Sequence, residues 1–101
     1  MSDVLKIDDM QEFESIICQD GDVIVRFTAE WCGPCKRFGP HFEKAAEISD
    51  AIFIDVDVDK APWVQEELGV RSVPTVMLFS DGHYVRNLQE RTAIKLIAEF
   101  A

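Results

Sequence analysis

The apolar positions of this chain fall into short runs with two different periods. Val23 to Phe27 is apolar everywhere except Arg26, and nearly every residue in it is β-branched or aromatic. Such a run predicts a strand covered on both faces, as in the middle of a parallel sheet. Ile52 to Val58 predicts a further strand, in which Asp55 and Asp57 alternate with apolar residues, so one side meets polar surroundings toward its end. Thr75 to Ser80, the turn dipeptide Asp81-Gly82, and His83 to Asn87 read as a hairpin. Val4 to Ile7 predicts a short edge strand.

Helical spacing fills the gaps. Phe13, Ile16 and Ile17 form a stripe behind a cap at Asp8 or Asp9, and Glu12 stands three residues after Asp9, as in a capping box. A second helix starts near Cys32 and runs to about Ser49, with Phe38, Phe42 and Ala45 on one face. Pro40 lies inside it and should kink it, because proline removes a backbone donor and crowds the preceding turn. Asp59 to Leu68 predicts a third helix, with Pro62 in the first turn and Gly69 just past the end. Thr92 to Phe100 predicts a fourth, striped by Ala93, Ile97 and Phe100. The order is β-α-β-α-β-α-β-β-α. Three strands alternating with helices need crossovers, and the last two form a hairpin. The expected class is α/β, a mixed five-stranded central sheet flanked by four helices.

Length and charge narrow the role. The 101 residues, 48% of them hydrophobic, suit a single domain spanning residues 1–101. Ten basic against 19 acidic residues leave a net charge of −9. A field of that sign repels phosphate backbones and anionic lipid heads, so neither nucleic acid nor a membrane surface is an expected partner. The longest apolar stretch, Val73 to Phe79, includes a proline and a threonine and is far short of the roughly 20 residues of a membrane span. Met1-Ser2-Asp3-Val4 lacks the basic and then apolar regions of a signal peptide, so the expected location is cytoplasmic.

Three cysteines, Cys18, Cys32 and Cys35, are too few for a disulfide-stapled secreted scaffold. Cys18 follows the first helix's stripe and is expected to be a small core residue. Cys32-Gly33-Pro34-Cys35 is different, because it stands where a buried strand hands over to a helix. Cys32 then lies at the helix N-terminus, where free N–H groups and the positive end of the dipole favour an anion. A thiol there loses its proton more easily and becomes a nucleophile near neutral pH. Cys35 follows one turn later on the same side. Pro34 suits a first turn and stiffens it. Gly33 leaves the approach open, and Trp31 shields the flank. Zinc is the alternative, but only Cys18, His41 and His83 remain as ligands and they form no second knuckle, so no metal is expected. His41 and His83 have no motif around them and are expected to face solvent.

Ala29-Glu30-Trp31-Cys32-Gly33-Pro34-Cys35-Lys36 resembles the active-site signature of the thioredoxin family. The likeness extends along the chain through Pro40, Asp57-Val58-Asp59 and Val70-Arg71-Ser72-Val73-Pro74-Thr75. It implies a thioredoxin fold, a cis Val73–Pro74 bond, and a substrate chain pairing with the backbone beside Val73, Pro74 and Thr75 like an added strand. It also implies a thiol–disulfide oxidoreductase that reduces disulfides of protein substrates. Cys32 would be the nucleophile and Cys35 the resolving thiol, with Trp31, Gly33, Pro34 and Lys36 completing the loop. No cofactor beyond the Cys32–Cys35 couple is implied. Electrons would come from a separate thioredoxin reductase, and the protein would be a monomer. An oxidant or isomerase-like variant, and a redox-independent docking module using the rim of Trp31, Pro34, Val73 and Pro74, are the competing readings. The Gly-Pro dipeptide favours the reductant, and nothing marks a glutathione cleft.

Arg26 departs from the family pattern, which usually places a buried Asp there. One reading has Arg26 snorkelling to the surface along its aliphatic stem. The other is a charge swap with a carboxylate, Asp55 ahead of Asp57 and Glu30, because an unpaired buried charge costs several kcal/mol. A cation about 6 Å from a thiolate, at an effective dielectric near 20, is worth roughly 3 kcal/mol, less what the carboxylate cancels. Arg26 and Asp55 are therefore expected to tune the thiols toward a more oxidising couple. Thr28 stands where many relatives have Trp, and little follows from it. Glu90 stands where the family usually has Gly beside the cysteines, and is expected on the docking rim or in a solvated loop.

Overall fold

The computed structural model describes residues 3–101. The elements run in order β1 (Val4–Lys6), α1 (Met10–Ile17), β2 (Asp22–Thr28), α2 (Gly33–Ile48), β3 (Ile52–Asp57), α3 (Trp63–Leu68), β4 (Thr75–Ser80), β5 (His83–Asn87) and α4 (Ala93–Ala98). They form one five-stranded sheet ordered β1-β3-β2-β4-β5. β1, β3 and β2 are parallel, whereas β4 runs antiparallel to both β2 and β5. The architecture is the mixed α/β sandwich expected from the alternation of elements.

β2 lies between β3 and β4, which explains its lack of polar alternation. Val23, Val25 and Phe27 pack on one face with Phe13 of α1 and Val64 of α3. Ile24 packs on the other with Phe38 and Phe42 of α2 and Leu96 of α4. Side chains alternate along a strand, so Arg26 shares the face of Ile24, and Asp55 shares that of Phe53 in the same cluster. The register sets Arg26 directly beside Asp55. Asp55 therefore faces the Arg26 guanidinium rather than the open surface. It is buried, 8% exposed, as is Arg26.

Local signals act largely where the sequence put them. The Asp9 carboxylate accepts a hydrogen bond from the Glu12 amide at 3.0 Å, which caps α1. Asp81 and Gly82 both have positive φ, 51° and 86°, the geometry that a tight two-residue hairpin requires. Gly69 closes α3 at φ 68°.

Three expectations need correction. Cys18 is exposed, not a core residue. It caps the C-terminus of α1, and at 3.6 residues per turn it is rotated about 140° from the buried Phe13. α3 begins at Trp63, not at Asp59. Proline disfavours helical backbone at the residue before it, here Ala61. The preceding chain turns instead, with the Lys60 amide bonding to the Asp57 carbonyl at 3.0 Å and the Asp59 amide to Asp57 Oδ1 at 2.9 Å. α4 begins at Ala93 and ends at Ala98, and Leu96, absent from the predicted stripe, is its most deeply buried residue.

Candidate active site

β2 ends at Thr28 and α2 begins at Gly33, so the short connection delivers Cys32 to the N-cap of α2. Its backbone is extended, φ −89° and ψ 109°, and its Sγ accepts a hydrogen bond from the Cys35 amide at 3.2 Å. That amide is one of the orphan donors of the first turn, and the Cys32 sulfur takes the place usually held by a serine or aspartate oxygen. Cys32 and Cys35 are joined by a disulfide, with Cα atoms 5.3 Å apart. Both are buried, 4% and 2% exposed, with Ala29, Val58 and Val73 packed around them. In this oxidised form the bond holds each sulfur against the other. Among the described residues no group of three or more His, Cys, Asp or Glu is placed to hold a metal ion.

Across from the cysteines, the Val73–Pro74 bond is cis. The Val73 carbonyl oxygen lies 3.7 Å from Cys32 Sγ. Thr75 Oγ1 donates to the Ser72 carbonyl at 2.7 Å, which braces the approach to β4. Trp31 is 69% exposed, and its Nε1 donates to Asp59 Oδ2 at 2.9 Å. Pro34 and Lys36 are exposed beside it, and Gly33 is half-buried.

The family model for Thioredoxin matches residues 4–101. The chain is 42% identical over 96 residues to Thioredoxin-1 of Schizosaccharomyces pombe, covering 94% of this chain and 93% of that protein. Its structure is similar to that of Plasmodium falciparum thioredoxin, at 38% identity and a TM-score of 0.86, covering 96% and 99% of the two chains. It is also similar to oxidised mitochondrial Thioredoxin 3 of Saccharomyces cerevisiae, at 31% identity and a TM-score of 0.84, covering 95% and 92%.

The chain belongs to the thioredoxin family. It is a thiol–disulfide oxidoreductase of the protein-disulfide reductase class, with protein substrates and a reductase partner implied by that membership. Beneath its thioredoxin disulfide, the place usually held by an Asp is occupied by the Arg26 guanidinium. Nε and Nη2 donate to Asp55 Oδ1 and Oδ2, both at 2.7 Å, and Nη1 donates to the Cys35 carbonyl oxygen at 3.1 Å. Its Cζ stands 5.3 Å from the Phe42 ring centroid and 5.7 Å from that of Phe38. The snorkelling reading fails, because the charged head itself is buried and held by Asp55. Neither other candidate partner is engaged, since Asp57 Oδ1 accepts from the Asp59 amide and Glu30 is exposed.

The connection from β5 to α4 is tied down by one carboxylate. Glu99 Oε2 accepts from the amides of Gln89 and Glu90, each at 2.9 Å, and Oε1 pairs with Arg86 Nη1 at 3.2 Å. Burial pulls the Glu99 carboxyl upward, but the Glu90 amide, the Arg86 guanidinium and the Gln89 amide outweigh it and hold it below the ordinary carboxylate value. Arg91 of the same segment lies over the Phe38 ring at 5.1 Å, so this loop rests on the redox helix. Glu90 is exposed and joins the latch through its backbone. His41 and His83 face solvent. The contacts made by Asp59, Arg91 and Glu99 are not legible in the sequence. Each acts through a partner distant in sequence or through a ring, and no local motif marks such pairs.

Proposed function

We propose that Cys32 is the nucleophile and Cys35 the resolving thiol of a general protein-disulfide reductant. The carrying observation is the amide of Cys35 aimed at Cys32 Sγ on the first turn of α2. In the reduced protein the same donor and the helix N-terminus favour a thiolate on Cys32. That thiolate attacks one sulfur of a substrate disulfide, breaks the S–S bond and releases a substrate thiolate, which takes up a proton. The Cys35 thiolate then attacks Cys32 Sγ, expels the second substrate thiolate and closes the Cys32–Cys35 bond. Two electrons pass to the substrate, and a separate thioredoxin reductase returns them.

Val73, Pro74 and Thr75 bind the substrate chain, with Trp31, Gly33, Pro34 and Lys36 as the loop it meets. The Val73 carbonyl beside Cys32 Sγ supports this, since a backbone acceptor there suits an added strand. Arg26 and Asp55 tune the thiols. The guanidinium on the Cys35 carbonyl favours negative charge at the cysteines, and Asp55 moderates it. We further read the protein as a single domain over residues 1–101 that works as a cytoplasmic monomer in electron transport. It needs no cofactor beyond its cysteine couple, and neither nucleic acid nor membrane is a partner. Among the described residues no helix is long and apolar enough to cross a membrane. Reduction of insulin disulfides tests the assignment. Turnover that vanishes in Cys32→Ser supports it, and turnover that persists in that variant contradicts it.

A further inference from the structure

The residue between Phe38 and Pro40 in α2 is a glycine. Glycine inside a helix is about 1 kcal/mol less favourable than alanine. The backbone does not require it, because Gly39 is not among the positive-φ glycines. What faces it is the Arg26 guanidinium. A Cβ at position 39 would lie 3.4 Å from Arg26 Nη1 and 4.0 Å from Nη2. That is ordinary contact, so a methyl group fits, whereas a longer side chain would reach over the guanidinium and into the space in front of it. Asp55 and the Cys35 carbonyl use three of the guanidinium N–H groups. The two that remain belong to Nη1 and Nη2, the atoms nearest Gly39.

Gly39, Arg26, Asp55 and Cys35 share the wall of a solvent-open cavity of about 560 Å³. The other charged groups facing it balance, Lys6, Lys36 and Lys60 against Asp8, Glu30 and Asp57. The central pair therefore sets its character. Both Asp55 oxygens are engaged by Arg26, which leaves solvent as the better proton acceptor behind Cys35.

We propose that Gly39 is a positioning residue for the resolving step, keeping this cavity open so that the Cys35 proton leaves to solvent from the back of α2. The proposal rests on the roles given to Cys32 and Cys35 above. In that step the Cys35 S–H proton passes to water in the cavity. The thiolate left behind attacks Cys32 Sγ in the mixed disulfide, the Cys32–Cys35 bond forms, and the substrate thiolate departs and is protonated by solvent.

The test uses the reduced full chain carrying Cys18→Ser, so that the exposed third thiol does not react. An aromatic disulfide such as dithiobis-nitrobenzoate is mixed with it in stopped flow across a range of pH. Attack by Cys32 releases one coloured thiolate, and resolution by Cys35 releases a second. Narrowing the cavity beside Arg26 with Gly39→Leu should leave the first release within about two-fold, slow the second by about five-fold or more, and move its pH midpoint upward. Gly39→Met reaches into the same space with a flexible, helix-favouring chain. It carries the same expectation should the leucine variant fail to fold. Gly39→Ala leaves most of the cavity free and should raise Tm with little change in either release. A folded leucine or methionine variant with an unchanged second release, or with both releases slowed equally, overturns the proposal. Loss of the second release already in the Cys18→Ser parent overturns the assignment of Cys35 itself, a result that the Gly39 variants cannot mimic.

Discussion

Arg26 and Asp55 face each other across neighbouring parallel strands, fork to fork, with both hydrogen bonds at 2.7 Å. The pair lies directly under the redox helix, because the third guanidinium contact is to the carbonyl of Cys35. A bidentate pair of this kind fixes direction as well as distance. It ties β2, β3 and α2 together at one point.

Removing one partner leaves a buried charge without its counterpart. Asp55→Asn is expected to cost about 3–5 kcal/mol of stability, far more than an exposed pair would. Urea unfolding of the oxidised protein measures it. A loss within about 0.5 kcal/mol would show that solvent, not Asp55, satisfies the guanidinium.

The same charge bears on the couple. Arg26→Asp exchanges a cation for an anion beneath Cys35, which disfavours thiolate and so destabilises the reduced form. The reduction potential should fall by some tens of millivolts, given that about 30 mV corresponds to 1.4 kcal/mol for two electrons. Equilibration against a glutathione or dithiol buffer reads this directly. An unchanged or raised potential would mean that Arg26 does not tune the thiols.

Glu99 links acid sensitivity to the loop that rests on Phe38. Its carboxyl is held below the ordinary value in the folded chain, after burial's opposing pull is overcome by the Glu90 amide, Arg86 and the Gln89 amide. A depressed folded value means that the stabilisation is present above the unfolded carboxylate range and is lost as pH falls through the folded value. Glu99→Gln should therefore destabilise the protein by about 1–2 kcal/mol at neutral pH. The difference from the parent should shrink in acid. Thermal unfolding of both proteins across the acid limb checks this, and a constant difference at every pH would contradict it.

Much of this is legible in the sequence. The hairpin announced itself through Asp81-Gly82, and the buried centre of the sheet through the apolar run of β2. Arg26 stood out as the one charge in that run, and the cost of an unpaired buried charge called for a carboxylate, Asp55 ahead of Asp57 and Glu30. The rest needed three-dimensional register. Whether position 26 lies beside 55 or 57 depends on how two parallel strands align, and no single sequence states that. Cys18 was misread because apolar character was taken for burial at a helix end where the chain had already turned toward solvent. The start of α3 was misread because Pro62 acts on the residue before it as well as on its own turn. Gly39 carries no signal of its own in the sequence, because its surroundings are set by the guanidinium that the fold places opposite it.

The most direct measurement is to alkylate the reduced protein briefly with iodoacetamide at neutral pH, map the modified peptide by mass spectrometry and assay insulin reduction on the same sample. Faster labelling of Cys32 than of Cys35, with activity falling in step with the Cys32 label, is the expected result. Preferential labelling of Cys35, or full activity after Cys32 is blocked, would contradict the assignment of the nucleophile to the head of α2.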